Sequence, residues 1–199
     1  VIGDAVKVVD TLDELICQGL IRSYAWSTDY YDCAEWISHF PGCVAIQHNM
    51  NVLDRADSLL ALCEYTGVIS INRSPLAMGL ISEKVLAADK VECIWSANDI
   101  RSVSPDWMVY FKNGKANQAL VKTLRDISDV LCSDGRSITQ GALAWLWGVS
   151  EKTLPIPGFR TEAQVLSHVE ALDKGPLTLD QIDDIDNIMA GLIVEPAIP

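Results

Sequence analysis

Four polar runs in the 199-residue sequence each close a short apolar stretch. They are Ser27-Thr28-Asp29 after "LIRSYAW", Gln47-His48-Asn49 at the end of "CVAIQ", Asn72-Arg73-Ser74-Pro75 after "VISIN", and Pro157-Gly158-Phe159-Arg160 after "TLPIP". Ser27 and Gln47 supply a hydroxyl and a carboxamide, neutral groups of the kind that fix another carboxamide. Arg73 and Arg160 supply positive charge, and Gly158 permits close backbone approach. A helix expected from Thr161 would add N–H groups and the positive end of a dipole, which together suit a phosphate. The combination hints at a dinucleotide with an amide-bearing ring. Taken singly, each position is also what a helix cap or loop would carry. The Pro157–Arg160 junction therefore reads either as a phosphate corner or as an ordinary strand-to-helix connection.

Groups able to move protons or attack a substrate are sparse. His48 follows a strand end, but a lone histidine beside Asn with no paired carboxylate reads as structural. Cys43 lies at the wrong end of its strand, Ser74 lacks a base, and Tyr24, Tyr30, Tyr31, Tyr65 and Tyr110 have no lysine at a tuning distance in sequence. No catalytic residue is assigned. The six cysteines form no Cys-x-x-Cys pair and the three histidines have no ligand spacing, so no metal site is expected. No G-x-G-x-x-G is present, which leaves a Rossmann reading without support.

The elements that must position these groups alternate. Val6, Val9, Leu12, Leu15 and Ile16 have helical spacing, ended by Gly19. The strand "LIRSYAW", the short helix "DCAEWISHF", the strand "CVAIQ", the helix "LDRADSLLALCEYTG" and the strand "VISIN" follow. Such alternation predicts parallel strands with crossover helices. An aperiodic segment of about 74–113 reads as either a functional loop or a poorly ordered stretch. Helices "KANQALVKTLRDISDVLCS" and "SITQGALAWLWGV", the strand "TLPIP", and helices "TEAQVLSHVEAL" and "TLDQIDDIDNIMAGL" complete the chain. The expected organisation is a single α/β domain over residues 1–199 with four strands. A closed (β/α)8 barrel takes eight strands, so the count suggests half of one, with strand edges that invite association.

A net charge of −12 argues against generic nucleic-acid binding, which rests on clustered Lys and Arg. The late acidic run "LDQIDDIDNI" reads as a solvated helix face. No apolar run approaches the ~18 residues of a membrane span, and no charged-then-apolar leader opens the sequence. Scattered cysteines read as reduced thiols of a cytoplasmic protein. A first residue of Val1 instead of Met is expected of a processed product or a fragment.

The segments "GLIRSYAWSTD", "VAIQHNMNVLD", "SINRSPLAMGLISEK", "DIRSVSPDWMVYFKNGK" and "LPIPGFRTEAQV" resemble, in that order, the later part of aldo-keto reductases. The similarity is to the subgroup with "GWSTDD" and "NRSPLAMGLLTGK" motifs, and runs from about Val6 to about Ile188. It implies a partial TIM (β/α)8 barrel: about the last four βα units plus a C-terminal helix. It implies NADPH as cofactor and carbonyl/alcohol interconversion as the activity of the complete protein. By the resemblance, Ser27 and Gln47 bind the nicotinamide carboxamide, with Thr28 where Asn is common. Arg73 takes the place of the residue that stacks on the ring. Ser74 and Leu76 match backbone contacts to the pyrophosphate. Gly158, Phe159 and Arg160 match the loop holding the adenosine phosphate, and Gln164 reaches the same region. Ser167-His168 stand where many members hold the adenine with Glu-Asn. The family's catalytic Asp, Tyr, Lys and His come from the first half of the barrel and have no counterpart here. The resemblance thus implies an NADP(H)-binding half whose partner is the missing N-terminal half-barrel or a second copy of itself. The alternative is a non-catalytic half-barrel that self-associates.

Overall fold

The computed structural model describes residues 2–87, 98–103 and 105–190. Along the chain run α1 (Ile2–Cys17), β1 (Tyr24–Ser27), α2 (Tyr31–Ser38), β2 (Cys43–Asn49), α3 (Asp57–Thr66), β3 (Ile69–Arg73), α4 (Glu83–Ala87) and α5 (Ile100–Val103). Then come the hairpin β4 (Phe111–Lys112) and β5 (Lys115–Ala116), α6 (Gln118–Asp126), α7 (Ser128–Leu131), α8 (Ile138–Val149), β6 (Thr153–Pro155), α9 (Glu162–Lys174) and α10 (Leu179–Ala190). The chain divides into two compact units. One comprises Val1–Met50, Ala56–Arg73 and Lys152–Ile156, and the other comprises Asn51–Arg55, Ser74–Glu151 and Pro157–Pro199.

The first unit holds all four expected strands in one parallel sheet of order β1-β2-β3-β6. Helices α1 and α3 stop where the sequence places glycine, at Gly19 and Gly67. At Gly19, with φ of 71°, the Leu20 N–H reaches the Leu15 carbonyl (3.0 Å) and the Gly19 N–H reaches that of Ile16 (2.9 Å). This is a Schellman cap, which occupies carbonyls that the last turn of α1 would leave bare. The cap extends the helix end, so β1 begins at Tyr24, later than its apolar run suggests. Helix α3 also starts later than expected, because Asn51 and Asp54 exchange backbone bonds (3.1 and 3.0 Å) in a tight turn ahead of it.

The two faces of the sheet differ. Tyr24 and Ile46 pack with Val9 of α1, Ala34 and Ile37 of α2, and Leu59, Leu62 and Cys63 of α3. Trp36 meets Trp26 and Phe40 edge-on at 6.5 and 4.9 Å, contacts of about 0.5–1.5 kcal/mol each beyond the area buried. Because side chains alternate along a strand, the register Ser27–Gln47–Ile71–Leu154 forms a single rung. Ser27 is exposed, Gln47 and Ile71 are half-buried, and Leu154 keeps 51% of its surface exposed. Among the described residues, β1 and β6 each pair on one side only.

The second unit is helical apart from the β4–β5 hairpin. Helix α8 is apolar on most sides and buries Ile138, Ala142, Leu143, Ala144, Trp145 and Leu146. Gly141 lets α7 close on it: a Cβ there would stand 2.0 Å from the Leu131 carbonyl oxygen. Helices α8 and α9 begin with reciprocal capping boxes, Ser137 with Gln140 and Thr161 with Gln164, and Thr178 with Gln181 repeats the pattern before α10. The single helix expected from "KANQALVKTLRDISDVLCS" is two, α6 and α7. The Ser128 hydroxyl donates back to the Arg125 carbonyl (2.7 Å) and competes with the helical ladder at the break. The aperiodic 74–113 segment contains a 3-10 turn at Ala77–Gly79, α4, α5 and the first strand of the hairpin. Its residues 88–97 and 104, with Cys93, lie outside the described part.

The acidic run faces water as expected, with Asp180, Asp183 and Asp184 exposed. Asp186 instead pairs with Arg55, whose guanidinium lies 5.6 Å above the Trp145 ring. Among the described residues no helix is long and apolar enough to cross a membrane, and no cluster of His, Cys, Asp and Glu could hold a metal.

Candidate functional site

The expected site residues fall into two clusters, one in each unit. In the first unit the carboxyl ends of β1, β2 and β3 bring Ser27, Thr28, Gln47 and Arg73 together. The Ser27 hydroxyl donates to the Gln47 side-chain oxygen at 3.3 Å. That leaves the Gln47 amide N–H2 as donor and the Ser27 oxygen as acceptor, the complement of a carboxamide. Thr28 shapes the turn: its N–H reaches the Gln47 carbonyl (2.9 Å) and its hydroxyl oxygen accepts from the Tyr30 N–H (3.1 Å).

Asp29 is the residue that sequence reading left out of the site. One carboxylate oxygen accepts from the Asn49 N–H at 2.8 Å, and the other is ion-paired with the Arg73 guanidinium. One side chain thus ties the ends of three adjacent strands. The available signal was its position directly after the β1 end, between Thr28 and the start of α2.

Neighbouring residues of opposite parity point to the other face. His48, Ser70 and Asn72 are completely buried. The Asn72 amide donates to the Ser70 hydroxyl (2.9 Å), Ser70 to His48 Nε2 (2.8 Å), and His48 Nδ1–H to the Asn49 carbonyl (3.2 Å). Burial depresses the His48 pKa; the Asn49 carbonyl and Asp29 pull it up, and Arg73 pushes it down. The imidazole is therefore neutral, and its role is to lock β2 against β3. Among the described residues, none offers a hydrogen-bond partner to the buried Asn72 Oδ1.

The second cluster begins in the turn after β3. Ser74, Ala77 and Met78 all have positive φ (53°, 47° and 54°), as does Gly79. Left-handed non-glycine residues cost about 1–2 kcal/mol each and persist only where surrounding contacts hold them. The holding contacts are specific. The Asn51 amide donates to the Ser74 carbonyl (3.1 Å) and to the Tyr110 hydroxyl (2.8 Å). The Leu76 carbonyl accepts from Gly79 and Ile81 (2.9 and 3.3 Å). Arg101 donates to the Met78 carbonyl (3.1 Å) and forks onto both oxygens of Asp99 (2.8 and 2.6 Å). Arg101 holds the Asp99 carboxyl well below the usual carboxylate range, and the more distant charge of Arg160 acts in the same sense. Asp99 went unnoticed in the sequence, although the spacing Asp-x-Arg was its signal.

At the corner before α9 the structure revises the local argument. Among the described residues a Cβ at Gly158 would meet nothing within 4 Å, so neither their packing nor the backbone angle requires glycine there. Phe159 is 64% exposed. Two of the N–H groups at this helix start are engaged: Gln164 Oε1 accepts from the Arg160 N–H (2.7 Å) and the Thr161 N–H (3.3 Å). The Gln164 side chain caps these two amides. His168 is half-buried, and its burial lowers its pKa. The adjacent Ser167 carbonyl accepts from Gln140 (3.1 Å), tying α9 to α8.

Comparison with known proteins locates this arrangement. A glycerol dehydrogenase from Gluconobacter oxydans matches 94% of the chain with a TM-score of 0.73 and 20% identity. An aldo-keto reductase from Bacillus halodurans in its holo form matches 90% at 0.64 and 23%. An aldo-keto reductase from Klebsiella pneumoniae in complex with NADP and acetate matches 90% at 0.60 and 17%. At these identities the likeness shows the fold, that of barrel-type aldo-keto reductases. The chain spans about half the length of these structures, covering 55%, 54% and 52% of them. No curated protein sequence matches it significantly. The family model for aldo/keto reductases, in contrast, matches residues 4–190. The chain belongs to the aldo/keto reductase family.

Proposed function

We propose that this chain is the NADP(H)-holding part of an aldo-keto reductase oxidoreductase that interconverts carbonyls and alcohols. The observation that carries the reading is the Ser27–Gln47 pair at the ends of adjacent parallel strands. Its residual donor and acceptor match a nicotinamide carboxamide, in a chain of a family that uses nicotinamide cofactors. The bound cofactor would supply a hydride to a carbonyl carbon. Ser27 and Gln47 orient the carboxamide, Arg73 packs on the ring, and Thr28 holds the turn beside it. Ser74 and Leu76 serve the pyrophosphate through backbone groups. Gly158, Phe159, Arg160 and Gln164 serve the adenosine phosphate, with His168 near the adenine. The space around Gly158 favours this assignment, because room at a strand-to-helix corner is what a phosphate needs.

The catalytic acid is assigned outside this chain. In this chemistry a tyrosine needs a lowered pKa to protonate a carbonyl oxygen. Burial and Asp13 instead push the Tyr24 phenol up to about 12. The strand ends described above carry no Tyr–Lys pair. The proposed chain is accordingly a partial barrel of about four βα units, and its partner is the complementary N-terminal half-barrel. The one-sided edges of β1 and β6 and the exposed Leu154 and Ile156 are surfaces that barrel closure would bury. Cytoplasmic residence is part of the same reading.

The test is NADPH binding by the chain, followed through cofactor fluorescence. Saturable binding is expected, weakened about tenfold by Ser27→Ala or Gln47→Ala, each of which removes one bond to a polar group of the ligand. Binding that both variants leave untouched would refute the assignment.

A further inference from the structure

We infer that Asp29 sets which redox form of the cofactor this site prefers, by cancelling the charge of Arg73. The inference rests on the proposed reading that Arg73 packs against the nicotinamide ring. It begins from a chemical difference between the two forms: the oxidised ring is a pyridinium with one positive charge, and the reduced dihydropyridine is neutral. A guanidinium is always protonated. An arginine under the ring therefore repels the oxidised form and leaves the reduced form alone, unless another charge compensates it.

Asp29 is placed to compensate. Its carboxylate is ion-paired with Arg73, and it is not a freely swinging surface partner, because its other oxygen is fixed by the Asn49 N–H of β2 at 2.8 Å. The pair is open to a ligand, with 38% of the Arg73 side chain and 49% of the Asp29 side chain exposed. The buried His48 just below is pulled in opposite directions by these two residues, as expected of a compensated pair. A neutral salt bridge presents a planar guanidinium face for stacking without presenting a net charge. The site can then bind either redox form with similar affinity.

Asp29→Asn is the informative substitution. It keeps an oxygen for the Asn49 N–H and removes only the charge. The dissociation constants of NADP+ and NADPH are measured separately for each variant, by protein fluorescence quenching and by cofactor fluorescence. In Asp29→Asn the ratio Kd(NADP+)/Kd(NADPH) should rise by about fivefold or more, the scale of one uncompensated unit charge about 4 Å away at a wet surface. Asp29→Glu should return the ratio towards that of the wild type. Asp29→Asn with Arg73→Gln should abolish the rise, because no cation remains to be compensated. A clip that merely ties strands together would weaken both forms alike. An unchanged ratio in Asp29→Asn, or a rise that persists without Arg73, overturns the inference while leaving the cofactor site standing. Absence of saturable binding of either form by the wild-type chain overturns the cofactor reading, and the inference with it.

Discussion

Gln164→Glu should move stability and ligand affinity in opposite directions. Gln164 Oε1 accepts from the N–H groups of Arg160 (2.7 Å) and Thr161 (3.3 Å), and the Gln164 N–H reaches the Thr161 hydroxyl (3.3 Å). Glutamate is nearly the same size and can keep all three contacts. It converts two neutral bonds into charge-assisted ones and puts a negative charge at the positive end of α9. The expected gain is about 0.5–1 kcal/mol. With a urea slope of about 2–3 kcal/mol/M, the midpoint should rise by about 0.2–0.5 M. The same carboxylate would face the phosphate proposed to bind there. One charge pair 5 Å apart costs about 0.8 kcal/mol at a wet surface, and a phosphate dianion about 1.7 kcal/mol. That corresponds to NADPH binding about 15-fold weaker. Urea denaturation and NADPH titration on one preparation read both effects. A raised midpoint with affinity within twofold of wild type would refute the phosphate corner. A lowered midpoint would refute the capping geometry itself.

Gly141→Ala drives a Cβ to within 2.0 Å of the Leu131 oxygen and 2.6 Å of its carbonyl carbon, backbone atoms that cannot rotate away. A loss of about 3 kcal/mol is expected, at the upper end of ordinary overpacking, and urea denaturation at pH 7 measures it. His48 contributes a pH dependence of definite sign. Its folded pKa lies below the free value of 6.5, so the unfolded chain takes up a proton first as pH falls. Stability is complete above about 6.5 and declines as pH drops towards the folded value. His48→Gln should flatten that decline between pH 7 and 5, leaving the slope from His168, whose pKa burial lowers in the same direction. An unaltered slope in the variant would show that His48 is not buried as a neutral ring.

Much of the fold was legible because its signals are local. Gly19 and Gly67 mark helix ends at φ of 71° and 81°, and three Ser/Thr-x-x-Gln boxes mark helix starts. Four β-rich runs separated by helical periods give the parallel sheet. The strand ends were legible for the same reason, since the residue after each apolar run is the residue at the carboxyl edge. What escaped was set by contacts distant in sequence. Asp29 matters through Arg73, 44 residues later, and the Ser74 turn is held by Asn51, 23 residues earlier. Strand parity also separated adjacent residues that looked alike in sequence: Gln47 stands in the open rung, and His48 is buried on the opposite face. The occupied amides at Arg160 and Thr161 were hidden because Gln164 reads equally as a cap for its own helix and as a ligand contact.

The net charge of −12 acquires a consequence once β1 and β6 are seen, among the described residues, to pair on one side only. Unpaired strands beside exposed Leu154 and Ile156 are a template on which chains of the same kind could stack. Two such chains approaching edge to edge bring like charge against like charge, and their long-range repulsion acts before short-range strand pairing can. The acidity that first reads as a solvated helix face therefore serves as a colloidal brake. It should hold identical chains apart at low salt, and its effect should fade as salt shortens the range of the repulsion.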